Sequence, residues 1–266
     1  MSIHPTAVID PRAEIHEHAE IGPFVVIDGP VQVGPRTRVQ AHAVLLGRTR
    51  IGADNVIHSG AVLGDLPQDM AFKESETFLH LGDRNVIREQ VQIHRGTEPE
   101  TATVIGNDNY LMTNVHIAHN CRLGDHVIMA TGAVLGGYVE VDDQVFVSGN
   151  CVVHQFVRIG RLAILRGLSR SSRDVPPFCI MDWTHTVRGI NRVGLRRAGF
   201  TAAQIRELQS AFAQLFRAGN LRTALAEVEA GPCPPAVRYL VDFIKASKRG
   251  VCTGPRHQAE RLEEET

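Results

Sequence analysis

The sequence predicts a β protein: a triangular parallel β-helix followed by a C-terminal α-helical domain. Three observations predict this architecture. An aliphatic residue recurs every six positions through most of residues 3–165. A small or β-branched residue follows four positions after most of them, and aromatic residues make up only 5% of the chain. A core with so few large rings must be filled by regularly spaced aliphatic side chains, which is how stacked β-helical coils are built.

The six-residue period runs in three blocks separated by two breaks, at residues 65–69 and at about residues 95–103. An α-helix or a heptad repeat does not produce a strict period of six, whereas an even period returns a strand to the same face. Three such hexads form one coil of 18 residues, so the repeat predicts about eight coils and a prism roughly 40 Å long. The aliphatic positions are Ile3, Ile9, Ile15, Ile21, Ile27, Val33, Val39, Leu45, Ile51, Ile57, Leu63, Leu81, Ile87, Ile93, Ile105, Leu111, Ile117, Leu123, Met129, Leu135, Val141, Val147, Val153, Ile159 and Leu165.

Two further positions of the repeat carry structural predictions. Glycine often follows the aliphatic residue directly, as at Gly22, Gly82 and Gly136, and we expect a turn with positive φ there. Cys121 and Cys151 occupy the small inward position, so we expect them to be core residues and not nucleophiles.

The hexad pattern ends after Leu165, and a different pattern follows. The segment Asp174-Val-Pro-Pro-Phe178 marks the exit from the coil. Thr201 and Gln204 form a capping box before an amphipathic segment, and residues 221–229 and 235–248 also have helical patterns. The sequence therefore predicts a β-helical catalytic domain over residues 1–173, a helical domain over 174–250 and a flexible tail over 251–266.

Composition excludes several classes of protein. A net charge of −1 provides no field that would favour nucleic acid or an anionic membrane. No apolar stretch approaches the roughly 18 residues that span a bilayer, and no signal peptide is evident. The five cysteines show neither disulfide-framework nor zinc-knuckle spacing. We therefore expect a soluble cytoplasmic protein.

The repeat brings three chemically useful positions together. His119, Gly137 and Gln155 are 18 residues apart, so they should stack in successive coils along one edge of the prism, with His116 and His154 close by. A neutral histidine can accept a proton near pH 7. A glycine allows a backbone N–H to approach a developing oxyanion closely. A base and an oxyanion donor are sufficient for direct acyl transfer, and no motif indicates a covalent acyl-enzyme.

Other hypotheses remain open at this point. Histidines on the surface of a β-helix are often inert, and the chain has 13 of them. A zinc site is a second alternative, as in carbonic anhydrases built from hexad repeats, with His94, His116 and His119 as ligands. A scaffold without catalytic activity is a third.

Several motifs, in order, resemble one family across about residues 3–248. That family comprises the acyl-carrier-protein-dependent UDP-N-acetylglucosamine O-acyltransferases of lipid A biosynthesis. The motifs are the segment from Gly64 to Asp69, Gly82-Asp-Arg-Asn-Val-Ile-Arg-Glu, Ile93-His-Arg-Gly, His116-Ile-Ala-His-Asn-Cys, Val153-His-Gln-Phe, Asp174-Val-Pro-Pro and Gly189-Ile-Asn-Arg-Val-Gly-Leu-Arg-Arg-Ala-Gly-Phe200.

The resemblance implies a left-handed coil and a homotrimer with active sites between neighbouring prisms. It implies transfer of a 3-hydroxyacyl chain from acyl carrier protein, where phosphopantetheine carries it, to the 3-hydroxyl of UDP-N-acetylglucosamine, with no metal or other cofactor. His119 matches the general base and Gly137 the oxyanion donor. Gly167 matches the position that limits acyl length. The positions matching donor or sugar-nucleotide contacts are Asp69, His116, His154, Gln155, Asn191 and Arg197.

The chain departs from the family pattern near these positions. Asn120 replaces an acidic residue after the base, and Tyr138 replaces a histidine after the oxyanion glycine. Ala71 replaces a lysine, for which Lys73 could substitute. Val193 and Ala198 replace an acidic residue and an arginine. The sequence therefore leaves open the length of the acyl chain and the identity of the acceptor, which could carry a 3-hydroxyl, a 3-amine or another group.

Overall fold

Residues 2–217 and 220–254 are described by a computed structural model of the chain. Short parallel strands form three sheets, and each sheet is one face of a triangular prism. Successive strands of the chain belong to successive faces, so each strand pairs with the strand one coil away, as Ile117 pairs with Leu135 and Leu135 with Val153. The predicted left-handed parallel β-helix with a C-terminal helical region is confirmed.

The first face has eleven strands: β1 (Ser2–Ile3), β4 (Glu20–Ile21), β7 (Arg38–Val39), β10 (Val56–Ile57), β13 (Val86–Ile87), β16 (Tyr110–Leu111), β19 (Ile128–Met129), β22 (Phe146–Val147), β25 (Ile164–Leu165), β27 (Cys179–Asp182) and β28 (Thr186–Ile190). The second face has nine: β2 (Val8–Ile9), β5 (Val26–Asp28), β8 (Val44–Leu46), β11 (Val62–Asp65), β14 (Gln92–His94), β17 (His116–Ile117), β20 (Val134–Leu135), β23 (Val152–Val153) and β26 (Arg170–Ser171). The third has eight: β3 (Glu14–Ile15), β6 (Gln32–Val33), β9 (Arg48–Ile51), β12 (Phe78–Leu81), β15 (Ala102–Ile105), β18 (Arg122–Leu123), β21 (Glu140–Val141) and β24 (Arg158–Ile159).

The core is the column of aliphatic and small side chains that the period predicts. From Ile21 to Leu165 the aliphatic positions are buried, and Ile117 and Leu135 are fully enclosed. Cys121 and Cys151 are buried among them, and burial raises the pKa of the Cys121 thiol to about 12. Both cysteines are therefore protonated core residues, as predicted.

The expected positive φ at the glycines is wrong for most of them. The left-handed conformation falls two residues later, at non-glycine residues such as Asp108 (φ 57°) and Tyr138 (φ 59°), whose N–H groups donate to a carbonyl in the adjacent coil. The glycines are needed because neighbouring coils approach closely. A Cβ on Gly82 would lie 2.6 Å from the carbonyl oxygen of Gly106.

The C-terminal region begins with strands and continues with helices. The hairpin β27–β28 extends the first face beyond the predicted boundary at residue 174, because β27 pairs with β25. Four helices follow: α1 (Arg192–Arg197), α2 (Ala202–Arg217), α3 (Leu221–Ala230) and α4 (Pro235–Lys245). The predicted capping box is present, since the N–H of Thr201 donates to Gln204 Oε1 at 2.8 Å and the N–H of Gln204 to Thr201 Oγ1 at 3.3 Å. Helix α1 was not predicted.

The start of the predicted tail is part of the fold. Val251 and Thr253 bridge to Asp174 and Thr186, and Cys252 is fully buried. The remainder of the predicted tail, residues 255–266, lies outside the described residues. Among the helices described above, none is long and apolar enough to cross a membrane.

Alanine at Gly82 should destabilise the coil, because the added Cβ would meet the Gly106 backbone and Asn107 Oδ1, both 2.6 Å away. We expect a loss of about 1–3 kcal/mol in the free energy of unfolding, the usual range for overpacking. Gly189→Ala is the matched control, since nothing lies within 4 Å of its Cβ position. Thermal unfolding of the two variants checks this, and equal melting temperatures would contradict the close-approach explanation.

Candidate active site

His119 and Gly137 meet at the edge where the second face turns into the third. Both residues lie two positions after a buried aliphatic residue, and the N–H of Tyr138 donates to the carbonyl of His119 at 3.0 Å across the two coils. The His119 ring lies over Gly137, because a Cβ there would be 2.5 Å from His119 Nε2. Any larger residue at position 137 would displace the imidazole.

The orientation of the His119 ring follows from its hydrogen bonds. Nδ1 lies 3.0 Å from Asn120 Oδ1, and the same oxygen accepts the N–H of Thr97 at 3.0 Å. A backbone N–H can only donate, so the Asn120 atom facing it must be the oxygen. His119 Nδ1 must then carry the hydrogen. In the neutral ring Nε2 is therefore the free acceptor, and it lies beside Gly137.

The backbone N–H of Gly137 is available to a ligand. At another edge of the prism, the equivalent N–H groups are capped by a side chain one coil away; for example, the N–H of Asp125 donates to Asp143 Oδ1 at 2.9 Å. The corresponding residue next to Gly137 is Gln155, which makes no such bond. Within residues 2–217 and 220–254, the N–H of Gly137 has no acceptor.

The other predicted residues of this edge lie in neighbouring coils or in a loop inserted there, and among the residues that the structure describes none of them hydrogen-bonds His119 or Gly137. Gln155 and His154 are exposed one coil beyond Gly137, and Arg249 Nη2 lies 3.4 Å from His154 Nδ1. Asp69 is exposed in the first inserted loop, residues 66–77 between β11 and β12. Its Oδ1 accepts the N–H of Ala71 at 2.9 Å. Both insertions leave the second face and return on the third, so they flank the same edge as His119.

His116 lies on the outer side of β17, with its ring centroid 5.1 Å from that of His94. Burial, and secondarily the nearby His94, lowers the pKa of His116 to about 4. His116 is therefore neutral throughout the physiological range. In the described part of the chain, no three His, Cys, Asp or Glu side chains are grouped to hold a metal, so His94, His116 and His119 form no zinc site within this chain.

Asn191 and Arg197 lie at a different edge from His119. Asn191 is buried as the N-cap of α1, where its Oδ1 accepts the N–H of Gly194 at 2.8 Å and its Nδ2 donates to the carbonyl of Leu162 at 2.9 Å. Leu162 follows β24, at the turn from the third face to the first. Arg197 is exposed in the last turn of α1. Within one chain, neither residue belongs to the His119 site.

Gly167 lies at the third kind of edge, between the first and second faces. It is exposed, and a Cβ there would meet only the carbonyl oxygen of Gly149, at 3.7 Å. There is therefore open space beside this edge at Gly167.

A groove of about 820 Å³ lies elsewhere, between the third face and the helices. Tyr239 closes part of it by donating its hydroxyl to Asp142 Oδ2 at 2.6 Å. His119 is not among its lining residues. We therefore assign the site from the His119 geometry and not from the size of this groove.

Sequence reasoning missed two contributors to the site. Thr97 lies in the second break of the repeat, where no period predicts its position, yet it hydrogen-bonds Asn120. Arg249 is distant in sequence and approaches His154 only through the C-terminal fold. Neither position carried a sequence signal that could have identified it.

Replacing His116 with glutamine should reduce the acid sensitivity of the fold. An unfolded histidine has a pKa near 6.5, and the folded His116 value is about 4. The unfolded state therefore binds more protons, and stability is lost as the pH falls from about 6.5 towards 4. We expect His116→Gln to recover about 1 kcal/mol of the stability lost between pH 7.5 and 5, allowing for solvent screening at the partly exposed ring.

Urea unfolding of the parent protein and the variant at both pH values checks this prediction. The control is His126→Gln, which replaces an exposed histidine. Unchanged acid sensitivity in His116→Gln would contradict the prediction.

Comparisons with known proteins place the chain among named acyltransferases. Residues 174–252 match the family described as UDP N-acetylglucosamine O-acyltransferase, domain 2, and residues 102–137 match the bacterial transferase hexapeptide repeat. The acyl-[acyl-carrier-protein]–UDP-N-acetylglucosamine O-acyltransferase of Burkholderia lata is 49% identical over 94% of this chain and 98% of its own length. The Janthinobacterium relative of the same name is 46% identical with the same coverage.

Solved structures agree with these sequence relatives. The UDP-N-acetylglucosamine acyltransferase of Francisella novicida superposes with a TM-score of 0.90 at 34% identity, covering 97% of this chain and 96% of its own. That of Bacteroides fragilis gives 0.89 at 40% identity, covering 94% and 99%. Together with the His119–Gly137 geometry, these similarities show that the chain belongs to the acyl-[acyl-carrier-protein]–UDP-N-acetylglucosamine O-acyltransferase family.

Proposed function

We propose that the protein transfers a 3-hydroxyacyl chain from acyl carrier protein to the 3-hydroxyl of UDP-N-acetylglucosamine, the first step of lipid A biosynthesis. The observation that carries this proposal is the free Nε2 of His119 beside the uncapped N–H of Gly137. Family membership supplies the donor and the acceptor. The metal and scaffold hypotheses do not account for this pairing of a base with a hydrogen-bond donor.

The reaction follows from these two groups. Nε2 of His119 takes the proton of the acceptor hydroxyl as its oxygen attacks the thioester carbonyl. The N–H of Gly137 donates to the carbonyl oxygen as it becomes negative. The tetrahedral adduct then expels the phosphopantetheine thiolate, which takes the proton back from the imidazolium. The sugar ester and free thiol are the products, and neither a covalent enzyme intermediate nor a metal is needed.

The remaining predicted residues fit this reaction if chains associate. Asn191 and Arg197 lie at another edge of the prism, so they can reach the sugar nucleotide only at the His119 site of a neighbouring chain. Val152 and Phe156 expose 52% and 48% of their surface beside this site, which favours cover by another chain. We therefore propose a cytoplasmic homotrimer with its active sites between chains.

We propose binding roles for the residues around the catalytic pair. Asp69 and His116 flank the acceptor from the first inserted loop and the second face. His154 and Gln155 lie on the C-terminal side of Gly137, where they suit the donor. Gly167 leaves room for an acyl chain that runs over the apolar outer side chains of the second face, such as Val152.

The proposed reaction is tested by mass spectrometry of the product. The protein is incubated with a set of 3-hydroxyacyl carrier proteins of different chain length and with UDP-sugars that carry a 3-hydroxyl or a 3-amine. We expect an ester on the 3-oxygen of UDP-N-acetylglucosamine. An amide formed in preference would assign a 3-amino acceptor instead, and no acylated sugar from any pair would contradict the proposal.

His119→Ala should lower turnover by about 100-fold or more, because it removes the general base. The fold should remain intact, since His119 contributes to one edge and not to the aliphatic core. His126→Ala, an exposed histidine at another edge, is the matched control. Circular dichroism verifies the fold, and turnover within a few-fold of the parent protein would refute the base assignment.

A further inference from the structure

Tyr138 is fixed in a stack of side chains that runs along the catalytic edge. Its ring meets that of His119 edge-on, with centroids 5.2 Å apart and an interplanar angle of 88°. The Tyr138 ring also stacks on that of Phe156, with centroids 4.9 Å apart and an interplanar angle of 17°. The left-handed backbone at Tyr138 is held by its N–H bond to the carbonyl of His119. Ring and backbone thus place the phenolic oxygen at one defined position.

That position is within reach of Thr97. The Tyr138 hydroxyl lies 3.0 Å from Thr97 Oγ1, which is 2.9 Å from Asn120 Oδ1. A threonine hydroxyl has one hydrogen. Since Asn120 Oδ1 is an acceptor only, Thr97 donates to it, and Tyr138 must donate to Thr97. The chain of bonds therefore runs from Tyr138 through Thr97 to Asn120, and its last oxygen also accepts Nδ1–H of His119.

An asparagine needs this support more than a carboxylate would. Both oxygens of a carboxylate accept hydrogen bonds, and its charge attracts the Nδ1–H of the imidazole in either rotamer. The amide of Asn120 is neutral, and rotating it by half a turn would present a donor to Nδ1 and select the wrong tautomer of His119. The N–H of Thr97 requires oxygen at this position. The Thr97 hydroxyl can donate or accept, and the Tyr138 hydroxyl, by donating to it, holds it in the orientation that donates to Asn120 Oδ1.

We infer that Tyr138 is a positioning residue that acts through Thr97 and Asn120 to keep His119 in its Nδ1–H tautomer. The inference rests on the proposed function for its kinetic consequence, but the tautomer itself can be measured without any reaction. The same bonds also hold the second inserted loop, residues 95–101 between β14 and β15, against the coil, since Thr97 belongs to that loop. A role in loop anchoring alone would alter stability and substrate affinity but not the tautomer.

The test uses Tyr138→Phe, which keeps the ring and its stacking and removes only the hydroxyl. Nitrogen NMR of the full chain labelled with ¹⁵N-histidine reports the tautomer, with the His119 signals identified by their loss in His119→Gln. We expect mainly the Nδ1–H form in the parent protein and a mixture of tautomers in the variant.

Turnover of Tyr138→Phe should fall about fivefold, as for the loss of one neutral hydrogen bond. KM for both substrates should change less than twofold. Tyr110→Phe, which loses a hydroxyl bonded to Arg88 elsewhere, should change neither quantity.

A double-mutant cycle tests the route through Thr97. Thr97→Val removes the hydroxyl but keeps the backbone N–H, which also donates to Asn120 Oδ1. If Tyr138 acts through Thr97, adding Tyr138→Phe to Thr97→Val should produce no further loss of turnover and no further change of tautomer. Full additivity, or a Tyr138→Phe protein with the parent tautomer and turnover, would overturn the inference. A tautomer shift in a protein whose parent form transfers no acyl group would instead refute the proposed function and leave the positioning role standing.

Discussion

The close approach of successive coils is the constraint on which the rest of the molecule depends. Each coil lies on the next through parallel backbone hydrogen bonds, and at several edges only glycine fits between them, as at Gly82. A left-handed residue two positions later turns the chain and donates its N–H to the adjacent coil. Because this geometry repeats every 18 residues, two residues at that spacing lie next to each other in successive coils.

The catalytic pair is a local use of this constraint. His119 and Gly137 occupy equivalent positions in neighbouring coils, so the ring of one rests on the backbone of the other. At the edge between the third and first faces, the same position carries Asp or Asn from Asp83 to Asp143, and each caps the N–H of the preceding coil; next to Gly137 it carries Gln155, which leaves that N–H free. The site is therefore made by placing an imidazole beside a backbone N–H that Gln155 of the next coil does not cap.

The sequence predicted most of the coil because its aliphatic residues report the register wherever the chain keeps the period. The same register predicted the alignment of His119 with Gly137. It could not predict Thr97, which lies in an insertion without a period, or the capping role of Asn191, which depends on how α1 meets the turn at Leu162. The glycine prediction failed because a pattern locates a small residue but does not distinguish positive φ from steric contact.

The central claim is that one edge of the coil holds the reacting groups and that a neighbouring chain completes the site. A crystal structure with the acylated sugar nucleotide bound tests it most directly. We expect the ester oxygen about 3 Å from His119 Nε2 and the acyl carbonyl oxygen about 3 Å from the N–H of Gly137. Asn191 and Arg197 of an adjacent chain should lie at the nucleotide. A ligand bound away from this edge, or held entirely by one chain, would contradict it.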